Sequence, residues 1–202
     1  MFVQVIQGQV TDAGEVRAAM DRWLQDLAPG ASGWLGSTAG VTEDGTSIAV
    51  VRFESEEAAR RNSDRLEQGQ WWAEMSKLFS GDVSFRDSTD VDVDVHGNPD
   101  DAGFVQVIQG RSSDPERARE LMNDDSGKWA EWRPDIIGSL GVAHDGGVYT
   151  MVLYFTSEEA AREGETKEPP AELTAAMEEM DALTVGVPEY FDLRQPWLDS
   201  PQ

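Results

Sequence analysis

Phe2-Val3-Gln4-Val5-Ile6-Gln7-Gly8 is repeated without change as Phe104-Val105-Gln106-Val107-Ile108-Gln109-Gly110, an offset of 102 residues. The same offset carries Asp12 onto Asp114, Arg17 onto Arg119, Met20 onto Met122 and Gly36-Ser37 onto Gly138-Ser139. It carries Phe53 onto Phe155, and Ser55-Glu56-Glu57-Ala58-Ala59-Arg60 onto Ser157-Glu158-Glu159-Ala160-Ala161-Arg162. Met75/Met177, Val83/Val185 and Asp90/Asp192 extend the match with no gap. Agreement at one offset over so many positions marks a tandem duplication, so the repeat is the unit whose fold has to be read. The expected division is a first unit over 1–95, a linker over 96–103 and a second unit over 104–202. Gly97-Asn98-Pro99-Asp100-Asp101 supplies the turn formers of that linker.

Each repeat opens on a β-rich run, Phe2–Val10 and Phe104–Arg111. A helix follows, with Asp12 or Asp114 where an N-cap belongs and Pro115 suited to a first helical position. Two strands then flank a tight turn: 34–42 and 47–54 around Glu43-Asp44-Gly45, and 136–144 and 148–156 around Asp145-Gly146-Gly147. Ser55 and Ser157 cap the next helix, whose first turn is acidic. A second helical segment (70–79; 170–183) and a last strand (82–87; 184–191) complete the unit. The order β-α-β-β-α-β is the split βαβ, ferredoxin-like motif of the α+β class. The first strand is apolar on both faces, and helices cover only one face of such a sheet. The expectation is therefore two ferredoxin-like βαββαβ units in one chain, packed sheet to sheet as a pseudo-dimeric α/β barrel.

Composition narrows the function. Of 202 residues, 39 are Asp or Glu and 16 are Lys or Arg, a net charge of −23. That excludes nucleic acid and anionic membrane as partners, since phosphate binding needs a basic face. The absence of Cys excludes disulfides, thiolate metal sites and a Cys nucleophile. No apolar run is long enough to span a bilayer. The N-terminal MFVQVIQGQV reads as a strand rather than a signal peptide, and a cytoplasmic location is expected. HExxH, GxSxG and P-loop signatures are absent. Acids recur every second residue over Asp90–Asp94, but the Gly and Glu of an EF-hand loop are missing. Strict Val/Asp alternation instead fits a half-buried strand or an edge protected by charge. No metal site is expected.

The βαββαβ unit, the Phe-x-Ser-Glu-Glu-Ala-Ala-Arg turn into the second helix and the following Trp71-Trp72 together resemble the antibiotic-biosynthesis-monooxygenase-like family of the dimeric α/β barrel superfamily. The resemblance spans both repeats and here takes a tandem-duplicated form. It implies a cavity for a small apolar or aromatic molecule. It also implies either a cofactor-independent monooxygenase or a non-catalytic, stress-associated binding protein of the same fold. Haem-degrading members carry an Asn, a Trp and a His in sequence. Here Gln7 and Gln109 stand at the first position, and the third holds no His in the first repeat, so no haem and no other cofactor is expected.

Cofactor-free members position their substrate with polar and aromatic groups, a role for which Gln7, Trp34, Arg52, Asn62 and Trp72 are of the right type. Adjacent helix positions point about 100° apart, so one of Trp71 and Trp72 is expected in the core and the other at the cavity mouth. A strand buried on both faces forces Gln4 or Gln7 to find a partner in the cavity. His96 reads as a linker residue and His144 as a turn residue. Trp34, Trp71, Trp72 and Phe79 in the first repeat stand against Ile136, Leu173, Thr174 and Asp181 in the second. A ligand site is therefore expected in unit 1, in a chain that is a monomeric pseudo-dimer or a weak homodimer. A pocket above about 300 Å³ would favour ligand binding, and a solid interior a purely structural duplication.

Overall fold

A computed structural model describes residues 1–124 and 126–201. The chain forms two compact units, Met1–Val91 with Gln195–Gln202, and Asp92–Arg194. This differs from the division expected at residues 95 and 104, for a reason visible in the hydrogen bonding. Each sheet takes its fifth strand from beyond its own repeat.

In unit 1 the strands are β1 (Phe2–Gln9), β2 (Trp34–Val41), β3 (Thr46–Phe53), β4 (Ser84–Ser88) and the C-terminal β10 (Trp197–Asp199), in the order β10-β2-β3-β1-β4. In unit 2 they are β5 (Val91–Val95), β6 (Phe104–Arg111), β7 (Ile136–Ala143), β8 (Val148–Phe155) and β9 (Glu189–Leu193), in the order β5-β7-β8-β6-β9. The alternating Val-Asp segment is thus an edge strand, with Asp92 paired to Arg119 at 2.7 Å. The segment read as a linker is tied down as well: His96 and Gly97 both donate their backbone N–H to the Ile137 carbonyl.

Helices α1 (Ala13–Asp26), α2 (Glu56–Ser63) and α3 (Leu66–Met75) belong to unit 1. Helices α4 (Pro115–Asp124), α5 (Ser126–Trp132), α6 (Glu158–Glu165) and α7 (Ala171–Leu183) belong to unit 2. Asp12 caps α1 through the N–H groups of Gly14 and Glu15, and Ser55 and Ser157 cap α2 and α6. Val16, Ala19, Met20 and Trp23 form the buried stripe of α1, at the spacing of an amphipathic helix.

The repeat holds in space over the central strands: Phe2 pairs with Phe53, and Phe104 with Phe155. It does not hold without a gap to the end. Gln4 pairs with Asp87, but Gln106 pairs with Asp192, and Val10 bridges to Phe79 where Ser112 bridges to Thr184. Unit 2 therefore takes up three extra residues between α6 and β9. Thr184, not Asp181, stands where Phe79 stands in unit 1.

Candidate functional site

Strand parity decides what faces the helices of unit 1. Phe2 and Phe53, Gln4 and Val51, and Ile6 and Ala49 are cross-strand pairs on one face. Val3 with Arg52, and Gln7 with Ile48, are pairs on the other face. On β2 the pairing with β3 slips between Trp34 and Gly36, a bulge that leaves Leu35 as the extra residue. The bulge places Trp34, Ser37 and Ala39 together on the helix-facing side. Gly36 turns the other way with φ +128°, and a Cβ there would meet Arg52 Nη2 at 2.6 Å and the Asp199 carbonyl at 2.8 Å. Only glycine fits that backbone and that close approach.

Between this sheet face and α1–α3 lies a cavity of about 90 Å³. Its lining includes Trp34, Asn62, Trp71 and Trp72 of the residues singled out from sequence, together with Gln4, Ser37, Trp23, Gln68, Phe79 and Trp197. Gln7 and Arg52 are not part of it, because both lie on the opposite face of the sheet. Both Trp71 and Trp72 border the cavity, where only one was expected to. The two indoles are long enough to bend toward the same space, and they touch at 6.1 Å between ring centres.

The cavity is far smaller than the roughly 300 Å³ of an ordinary ligand pocket, because rings fill the space. Trp34 stands edge-on to Trp23 at 5.1 Å, Trp23 touches Trp71, and Trp72 contacts Phe79 at 6.2 Å and Phe85 at 5.3 Å. Most polar atoms at the wall are satisfied. Trp23 Nε1 donates to Gln68 Oε1 at 2.7 Å, Trp71 Nε1 to the Ala19 carbonyl at 2.9 Å, and Arg65 to Asn62 Oδ1 at 3.0 Å. Two are not: Trp34 Nε1 and Ser37 Oγ are buried without a hydrogen-bond partner. Among the described residues, no ionisable side chain lines the cavity.

A second, open depression of about 690 Å³ lies on the outer side, between α1 and α3. Its rim carries Glu15, Arg22, Asp26, Glu67 and Glu74, and it shares Trp71 and Met75 with the cavity. Its openness to water and the net negative rim make it a poor seat for a neutral aromatic molecule.

Several wall residues, Ser37, Trp23, Gln68 and Trp197 among them, were not singled out from the sequence. Gln4 was weighed against Gln7, but a strand apolar on both sides offers no polar face to decide between them. Ser37 sits in the Gly36-Ser37 pair that both repeats share, which is the one signal that marked the bulge. Trp197 had no counterpart in the first repeat and no signal tying it to unit 1. In unit 2, Ile136 and Ser139 occupy the same bulge, which pairs Ile136 with Phe155 and Gly138 with Tyr154. The Ile136 side chain has no N–H to offer there.

No protein-family model matches the chain, and no curated protein matches it. Solved structures do. A candidate monooxygenase of Lactobacillus acidophilus NCFM superposes with a TM-score of 0.75 at 12% identity, covering 98% of this chain and 95% of that one. A candidate monooxygenase of Fusobacterium nucleatum subsp. nucleatum also gives 0.75, at 11% identity over 98% and 94%. An anthrone oxidase-like protein gives 0.65 at 12% identity, over 100% and 92%. Among the described residues, no helix is long and apolar enough to cross a membrane. At such identities the likeness shows architecture rather than reaction. By fold, the chain is a two-unit ferredoxin-like protein of the kind found among these monooxygenase-like structures.

Proposed function

We propose that the chain is a cofactor-independent monooxygenase acting on a small aromatic substrate held in the unit 1 cavity. The observation that carries this reading is the cavity wall itself: Trp34, Trp71, Trp72 and Phe79 surround an uncharged space that contains two unpartnered hydrogen-bonding groups. Aromatic walls stack on a flat ring, and a few polar atoms fix its orientation. The solved structures of the same fold that bear the names monooxygenase and anthrone oxidase-like support the reaction class.

The chemistry balances without a resident cofactor. A ring methylene becomes a carbonyl, one oxygen atom of dioxygen enters the product and the other leaves as water, and the substrate supplies all four electrons. The protein's part is to hold the ring, exclude bulk water and leave the oxidisable carbon open to dioxygen; at about 90 Å³, less than the roughly 150 Å³ of a cavity that takes benzene, this requires Trp71, Trp72 and Phe79 to move apart as the substrate enters. A second reading, a binding protein without turnover, has its own support: the wall offers no general base, because no carboxylate, His or Lys is among the lining residues.

Oxygen consumption separates the two readings. The protein is incubated with anthrone, whose central methylene is the oxidisable carbon, and uptake is followed with an oxygen electrode, with ¹⁸O₂ used to trace product oxygen. The monooxygenase reading expects uptake above the uncatalysed rate, incorporation of one labelled atom, and loss of both in Trp72→Ala. Saturable binding without any increase in uptake supports the binding protein.

A further inference from the structure

We propose that the open groove between α1 and α3 of unit 1 docks a basic amphipathic helical segment of a partner protein, with an arginine of that segment set between Glu15 and Glu74. This does not depend on the reading of the inner cavity as a ligand site.

The two units differ at one matched pair of positions. In unit 2, Arg117 of α4 reaches across to Glu179 of α7, Nε to Oε1 at 2.7 Å and Nη2 to Oε2 at 3.0 Å, a two-point ion pair that ties the helices together. Arg117 stands where unit 1 has Glu15, since each donates its backbone N–H to the aspartate before its helix, Asp114 and Asp12. Glu179 stands where unit 1 has Glu74. Leu66 and Ala171 open the two helices, and Ser80 and Val185 beyond them donate to the matching carbonyls of Gln9 and Arg111. Unit 1 thus presents a carboxylate on both helices where unit 2 has a clasp. Glu74 pairs with Lys77 of its own helix, but both side chains are mostly exposed, and such a pair contributes little. Among the described residues Arg22 is the one cation lining the groove, two turns or about 10 Å along α1 from Glu15.

Shape and charge name the occupant. The groove is walled by one stripe of α1, from Glu15 to Asp26, and one running from Glu67 on α3 to Leu78. At 1.5 Å per residue the α1 stripe is about 16 Å long, three turns of a helix. The floor is apolar, with Ala18, Ala19, Trp71 and Met75, while Asp26 and Glu67 join Glu15 and Glu74 at the rim. A volume of about 690 Å³ holds several side chains rather than one ion. An amphipathic helix lays its apolar face into such a groove, and cationic side chains bordering that face meet the acidic rim. The rim repels nucleic acid and anionic lipid, and a net charge of −23 leaves a second copy of this chain no basic face to offer. A partner's arginine at Glu15 and Glu74 makes from outside the contact that Arg117 makes within unit 2.

Two synthetic peptides of about 14 residues, four helical turns, test this on the full-length chain. Both carry a leucine face, bordered by arginines in one and by glutamines in the other. The reporter is the Trp71 indole N–H, which donates to the Ala19 carbonyl in the groove floor and is assigned through Trp71→Phe. The arginine peptide should bind one to one, shift the Trp71 resonance and bind about tenfold or more tightly than the glutamine peptide. Glu15→Arg, which builds the unit 2 clasp toward Glu74, should weaken the arginine peptide about tenfold or more. Glu116→Arg makes the same charge change at an exposed position of α4 and should alter binding less than about twofold. Ala18→Trp fills the exposed floor position without changing charge and should weaken both peptides. Equal weakening by Glu15→Arg and Glu116→Arg overturns the proposal, because the attraction is then to overall charge. Binding that leaves Trp71 unmoved, or that is indifferent to Ala18→Trp, overturns it as well. Spermidine that shifts Trp71 and displaces the arginine peptide at equal concentration would assign the groove to a small polycation instead.

Discussion

The Arg17 guanidinium lies 5.5 Å from the centre of the Trp197 ring, so helix α1 holds the C-terminal strand of the chain against unit 1. Arg17 also reaches Asp199 at 3.5 Å and Asp21 at 2.7 Å. Trp197 pairs with Ala39 on β2 and forms part of the cavity wall. The tail that follows the second repeat thereby completes the site of the first.

Trp197→Ala should accordingly weaken small-ligand binding and cost about 1–2 kcal/mol of stability, less than a fully buried Trp because the ring is half-exposed. Arg17→Ala should cost only about 0.5–1 kcal/mol, chiefly through the lost cation–π contact, since exposed ion pairs contribute little. Urea denaturation and acetophenone titration on both variants check this. A stable Trp197→Ala protein with unaltered binding would remove the tail from the site.

Gln68 accepts the Trp23 indole N–H at 2.7 Å. Gln68→Leu keeps the apolar bulk but leaves that buried donor unpaired, which should cost about 1–3 kcal/mol. Trp23→Phe in the same background should recover part of the loss, because it removes the stranded N–H. Additive destabilisation in the double variant would show that the bond is not what matters there.

Gly8 closes the repeated heptapeptide against an aromatic ring. A Cβ at Gly8 would come 2.7 Å from Phe79 Cδ1, and at Gly110 it would meet the Tyr149 side chain. Gly8→Ala should destabilise by about 1–3 kcal/mol through overpacking and push Phe79 toward Trp72. The near-ultraviolet circular dichroism spectrum should change with it. Gly8→Ala combined with Phe79→Leu should be milder than Gly8→Ala alone.

Acid stability should carry a contribution from the β2–β3 turn. The Thr42 hydroxyl, helped by Thr46, holds the Asp44 carboxyl below its ordinary value of 3.8. A lowered folded value means the stabilisation is complete above the unfolded value and disappears as pH falls through the lower folded one. The group is exposed to solvent, so the effect should stay below about 1 kcal/mol. The stability difference between the parent and Asp44→Ala, measured by urea denaturation, should be constant above pH 5 and shrink toward pH 3. A difference that grows on acidification would reverse the assignment.

The central strands were legible because the heptapeptide and its partner Phe53 or Phe155 repeat at one offset, and strand alternation then places side chains by parity. Ser55 and Ser157 were legible for the same local reason, since capping needs only the cap and the next turn. Exchange of the fifth strands was not. The pairing of Trp197 with Ala39 depends on which sheet edge is free, a tertiary property that no local pattern encodes. The three-residue shift after α6 escaped because Val83/Val185 and Asp90/Asp192 match by sequence but do not share a place in the ladder. Gln7 and Arg52 were chosen by residue type, and both fell on the wrong side of the sheet. The parity that excludes them was present in Phe2 and Ile6, but on a strand apolar throughout it does not say which face the helices cover. Both faces read alike.

The most direct test of a ligand site confined to unit 1 uses the seven indole N–H resonances as reporters. Isotope-labelled protein is titrated with acetophenone, with Leu173→Ala as a unit 2 control. Trp34 and Trp72 should shift saturably, Trp129 and Trp132 should stay in place, Trp72→Phe should weaken binding several-fold, and Leu173→Ala should leave it unchanged. Shifts centred on Trp129 and Trp132, or binding lost equally in Leu173→Ala, would contradict the account.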